Sequence, residues 1–77
     1  MRRKSAQRLR RRYVNSKYPR IVLRFEDGHE IRVERGQGKT FDAYVGETVK
    51  VIAIWDPTAD EREVVAVLKA EQFEDDT

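Results

Sequence analysis

Seventy-seven residues without a cysteine make at most one domain, and they exclude disulfides, thiolate metal sites and cysteine chemistry. No apolar run approaches the ~20 residues that a membrane-spanning helix needs. The net charge of +2 hides a division: nine of the 16 Lys and Arg lie in residues 1–20, while residues 21–77 hold all 14 acids.

The first 18 residues therefore read as a basic arm: Arg2, Arg3, Lys4, Arg8, Arg10, Arg11, Arg12 and Lys17, with Arg20 just beyond. Its few apolar residues, Ala6, Leu9 and Tyr13, fall at i, i+3 and i+7, a faint helical stripe. Self-repulsion should keep such an arm disordered or only partly helical when free, and phosphates would relieve that repulsion. No apolar segment follows the basic residues, so the arm does not read as a secretory signal; with one Ser before residue 16, it fits a transit peptide poorly. The lack of Cys fits a reducing, cytoplasmic setting.

Pro19 disfavours helix at Tyr18 and opens the body. Ile21, Leu23 and Phe25 then alternate with Val22, Arg24 and Glu26, and Ile31 and Val33 alternate with Glu30, Arg32 and Glu34, around an Asp27-Gly28 turn. A two-residue loop would mix the faces. A three-residue loop, Glu26-Asp27-Gly28 with Gly28 left-handed, pairs Leu23 with Ile31 and Ile21 with Val33. It also sets Arg24 opposite Glu30 and Arg20 opposite Glu34, so apolar and charge matching select the same register.

Residues 35–39 read as a glycine loop, 40–45 as a short strand carrying Phe41 and Tyr44, and Gly46-Glu47 as a turn. Residues 48–55 give the strongest strand signal. Residues 56–60 turn at Pro57, and 62–70 form a last strand. Apolar residues on both faces of these last two strands place both centrally in a sheet. The chain divides into a basic arm (1–18), a small barrel (19–70) and an acidic tail (71–77) anchored by Phe73. The expected fold is all-β: a five-stranded small β-barrel, SH3-like or OB-like, behind the arm.

Catalytic chemistry finds no foothold. Gly38-Lys39-Thr40 ends like a phosphate-binding loop, but Val33 stands where the first glycine belongs and no helix pattern follows. His29 is the single histidine, with no partners for a metal site or a triad with Ser5 or Ser16. The acids Asp56, Asp60, Glu61 and Glu63 read as a solvated turn. The expectation is no enzyme, no metal and no cofactor.

The arm carries the functional signal, because each Lys or Arg that neutralises a phosphate releases counterions. Tyr13 and Tyr18 interleave with its charges and suit base stacking. Phe41 and Tyr44 either pack into the core or, beside Lys39, form an aromatic platform on the barrel.

The stretch from Leu23 to Leu68 resembles the small single-domain OB-fold RNA-binding proteins of the translation initiation factor one and S1-like type. The matching pieces are "LRFEDGHEIRV", "GKTFDAYVGETVKV" and "REVVAVLK". The resemblance implies RNA binding on the ribosome through Lys39, Phe41 and Tyr44, with His29 near the rim. A Gly-acid turn before "VKV" also occurs in SH3-like barrels, so both topologies stay open. The expected function is non-enzymatic nucleic-acid binding, RNA favoured over DNA, in a ribosome-associated or ribonucleoprotein component. The alternative is a structural or protein-interaction module, such as a subunit of a viral particle. Its arm would contact nucleic acid or an acidic partner, and a protein would dock on the barrel.

Overall fold

The computed structural model describes residues 7–76. Among them run seven strands: β1 (Arg8–Asn15), β2 (Arg20–Arg24), β3 (Glu30–Glu34), β4 (Gln37–Tyr44), β5 (Thr48–Asp56), β6 (Glu61–Lys69) and β7 (Glu74–Asp75), with one 3-10 turn at Ala70–Gln72. They form two antiparallel sheets, in the orders β4-β1-β7 and β3-β2-β5-β6. The fold is all-β as expected, but the five-stranded closed barrel is corrected to two separate sheets. No described helix is long and apolar enough to cross a membrane.

The β2–β3 hairpin follows its sequence pattern. Ile21 faces Val33, Leu23 faces Ile31, Arg20 faces Glu34 and Arg24 faces Glu30. The Phe25 N–H donates to the His29 carbonyl at 3.0 Å and the Gly28 N–H to the Phe25 carbonyl at 2.9 Å. Gly28 sits at φ +94 with open space around it, so what requires glycine there is backbone geometry rather than crowding. The two charge pairs close at 2.8 Å and 2.7 Å.

The largest correction concerns the arm. Residues 8–15 form neither a free arm nor a helix; they are the middle strand of the first sheet, paired along their length with β4. Leu9, Arg11, Tyr13 and Asn15 turn inward, while Arg8, Arg10, Arg12 and Val14 turn outward. The tail is a strand as well: Arg11 faces Asp75 and Arg12 faces Glu74. Opposite charges from the two ends of the chain thus meet in one sheet, which removes the repulsion expected to fray the basic stretch.

The inward faces share one core. Ile21, Leu23, Val33, Val49, Val51 and Ala53 from the second sheet meet Phe41, Ala43 and Phe73, with Leu9 and Tyr13 packed at the margin. Asn15 is the buried polar group that ties the sheets together. Its Nδ2 donates to the carbonyls of Val33 (2.8 Å) and Tyr18 (3.0 Å), and its Oδ1 accepts from the N–H groups of Tyr18 (3.0 Å) and Lys17 (3.3 Å). A buried amide is tolerated when its polar atoms are satisfied in this way.

Two further expectations change. The loop at residues 35–39 shrinks to a turn at Arg35-Gly36, and Gln37 already begins β4. A Cβ on Gly38 would meet Val14 Cγ2 at 3.2 Å and Arg12 Nε at 3.3 Å; glycine lets those side chains lie across the neighbouring strand. β5 is central, but β6 is an edge strand that exposes Val64 and Val67. Its apolar run reads as central because Val65 is an extra residue at a bulge, between the pairs Val51–Ala66 and Ile52–Val64, and bulges blunt sheet edges.

Candidate nucleic-acid interface

The outward face of β1 and β4 gathers three of the five described arm cations, Arg8, Arg10 and Arg12. Side chains two positions apart on a strand stand about 7 Å apart, so Arg8, Arg10 and Arg12 form a straight row. β4 supplies the neighbouring row, with Tyr44 opposite Arg8, Asp42 opposite Arg10, Thr40 opposite Arg12 and Gly38 opposite Val14. The Arg8 guanidinium lies over the Tyr44 ring, 5.2 Å from its centre. Arg10 reaches Asp42 at 3.2 Å and donates to the Thr40 hydroxyl at 3.1 Å. Arg12 has no ion pair among the described residues. Beside it lies a hollow of about 320 Å³ walled by Tyr13, Leu68, Gln72 and Phe73.

Acids temper this row loosely. Arg8 stands 4.0 Å from Asp42, and Arg10 lies 3.2 Å from Asp42 and 3.6 Å from Asp76. Exposed pairs at such distances are worth about 0–1 kcal/mol each, so a phosphate can displace them. The opposite side of the molecule, the outward face of the second sheet, also carries Arg20, Arg24, Arg32, Lys50 and Arg62. There Arg20, Arg24 and Arg62 hold Glu34, Glu30 and Asp60 at 2.7–2.8 Å, charge-assisted bonds shorter than the 3.2–4.0 Å contacts of the β1 row.

Several expected site residues fall elsewhere. Arg2, Arg3 and Lys4 lie outside the described residues. Arg11 turns inward, its guanidinium largely covered and its Nε without a hydrogen-bond partner. Tyr13 is half-buried, edge-on to Phe73 at 6.1 Å; burial, helped by Tyr18, pushes its hydroxyl pKa up. Of the two readings of Phe41, the structure takes the core and not the platform. It is 4% exposed, edge-on to Phe25 at 5.3 Å and Phe73 at 5.2 Å, and offers no face to a base. Lys39 is exposed but shares the side of Phe41 and Ala43, away from the arginine row. Arg20 belongs to the opposite face. Lys17 and Tyr18 lie in the β1–β2 loop, where the Lys17 ammonium sits 5.4 Å from the Tyr18 ring centre.

Sequence reasoning missed Trp55, which stands beside Tyr18. The signal was present, in an aromatic residue immediately before the Asp56-Pro57 turn. His29 stacks flat on Phe25 at 4.4 Å and holds Asp27 Oδ1 at 2.6 Å. The Asp27 carboxyl pKa is lowered, first by the His29 backbone N–H and then by the His29 ring. Among the described residues, no group of three or more His, Asp or Glu is placed to hold a metal ion.

No protein-family model matches the chain, no curated protein matches it and no solved structure matches it.

Proposed function

We propose that this chain is a non-enzymatic, cytoplasmic nucleic-acid-binding protein, with RNA favoured over DNA, in a ribosome-associated or ribonucleoprotein setting. The carrying observation is the row Arg8, Arg10 and Arg12 on one exposed strand face within the most basic part of the chain. The row has the regularity of successive phosphates along a nucleic-acid strand, and its acidic neighbours are held loosely enough to be exchanged. Tyr44, beside Arg8, adds an aromatic surface at one end. The other acids of the body limit indiscriminate coating of polyanions. The likeness of "LRFEDGHEIRV" and the segments after it to small OB-fold RNA-binding proteins favours RNA.

Binding of labelled single-stranded RNA, duplex RNA and duplex DNA across a salt series tests the proposal on the intact chain. Removing residues 1–18 is the wrong control, because it deletes the middle strand of a sheet. The expected result is affinity that falls steeply with salt, strongest for RNA. Salt-insensitive or absent binding overturns the proposal.

A second reading has its own observation. Val64 and Val67 lie exposed along the edge strand β6, next to the outward cluster Val22, Ile52 and Ile54, which suits an assembly subunit that docks protein there. Under that reading, Val64→Lys abolishes self-association or partner capture and leaves RNA binding intact.

A further inference from the structure

Along β5, Val49, Val51 and Ala53 turn into the core, and strict alternation would send Trp55 after them. A bulge intervenes. Ile54 pairs with Arg62 and Asp56 with Glu61, so Trp55 is an extra residue with no partner in β6. Bulges re-aim side chains, and this one leaves Trp55 45% exposed while Val51, Ile52, Ala53 and Ile54 are each at most 5% exposed.

The exposed ring is held in place. Its Nε1 donates to Glu63 Oε1 at 3.0 Å, and it meets the Tyr18 ring at 4.8 Å and 74°. Tyr18 is itself fixed, since its N–H and carbonyl both bond the buried Asn15 amide. Two cations stand at the same place: the Lys17 ammonium over the Tyr18 ring, and Arg35, whose guanidinium donates to the Lys17 carbonyl at 3.3 Å. A half-exposed indole, oriented by a partly buried Tyr18 and flanked by cations, offers a π-face to a base and charge to the phosphates on either side. A base locked in a duplex cannot present its face to such a site.

We infer that Trp55 and Tyr18, flanked by Lys17 and Arg35, form a stacking site for an unpaired nucleobase and that this site makes the protein prefer single-stranded RNA to duplex. The inference rests on the nucleic-acid reading above: the arginine row grips the backbone and the aromatic pair reads strandedness. β1 leads directly into the loop that carries Lys17 and Tyr18, so both features lie along one chain path.

Trp55 is the single tryptophan, so intrinsic fluorescence of the full chain reports on the site. The probes are a short single-stranded RNA of mixed sequence, a duplex of the same length and inorganic polyphosphate, which has charge but no bases. The expected result is quenching by the single strand and little by the other two, although polyphosphate also binds. Trp55→Ala should lose about tenfold or more in affinity for the single strand and nothing for polyphosphate. Trp55→Phe should recover most of that loss, and unchanged melting of both variants shows that the fold is intact. Equal affinity of Trp55→Ala and the unaltered chain for the single strand, or equal quenching by polyphosphate, overturns the stacking site and leaves the arginine row standing. Failure of all three probes to bind overturns both.

Discussion

The β2–β3 hairpin and the strand β1 are opposite lessons in the same chain. The hairpin carries its instructions within 15 residues: alternating apolar positions, an Asp-Gly turn and two charge pairs that agree on one register. β1 carries half of its instructions. Its outward arginines repel one another until Asp42 on β4 and Asp76 near the C-terminus are placed beside them. Local sequence therefore determines the hairpin, and only long-range pairing determines β1.

Phe73 seats the tail beside β1, so its loss should affect β1 more than the hairpin. Phe73→Ala removes a buried ring packed edge-on to Tyr13 and Phe41 and should cost about 3–5 kcal/mol, read by chemical denaturation. A cost under 1 kcal/mol would mean that the tail does not hold β1. Asn15→Ala comes next. It strands the Val33 and Tyr18 carbonyls and should cost about 2–3 kcal/mol, with early loss of amide-exchange protection in β1. If the hairpin loses protection first, the assignment of Asn15 as the tie between β1 and β3 is wrong.

What the sequence disclosed divides along the same line. The register of Ile21 with Val33, the left-handed Gly28, the β5 strand and the anchor Phe73 were all legible, because each depends on neighbours in sequence or on plain apolarity. β1 is hidden in the sequence because Ala6, Leu9 and Tyr13 fit a helical stripe, while the true period of two, Leu9-Arg11-Tyr13, runs through an arginine that turns inward. Phe41 reads in sequence both as a platform and as core, and only the assembled sheets select the core. Trp55 escaped because a bulge follows from pairing, which local pattern does not reveal.

Smaller effects sharpen the hairpin side. Gly28→Ala meets no atom but must hold φ +94, which should cost about 1–2 kcal/mol in thermal unfolding. No measurable cost would show that the turn is not left-handed. Exchanging Arg24 and Glu30 singly should cost less than about 1 kcal/mol each, and the double exchange should restore the loss. Additive losses would deny the cross-strand pairing.

The smallest effect is on pH. The carboxyl pKa values of Asp27, Asp56 and Glu71 lie below their ordinary range, held down first by the His29 N–H, the Thr58 hydroxyl and the Gly46 N–H respectively. The unfolded chain binds these protons more readily. The contribution is thus complete above the ordinary carboxylate range and is lost as pH falls through the lowered folded values. Thermal melts should decline in that acid window, and Asp56→Asn should flatten the decline. An unchanged slope would remove Asp56 from the account.

The most direct test of the central claim sets the two basic faces against each other. Salt-dependent binding of single-stranded RNA is measured for Arg8, Arg10 and Arg12 changed together to Ala, and for Arg20, Arg24 and Arg32 changed together to Ala. The first set should lower the salt slope by about 2, at ~0.7 for each phosphate that is no longer neutralised, and the second set should leave it nearly unchanged. A slope that falls only with the second set, or with neither, would contradict the assignment of the β1–β4 face as the phosphate-binding surface.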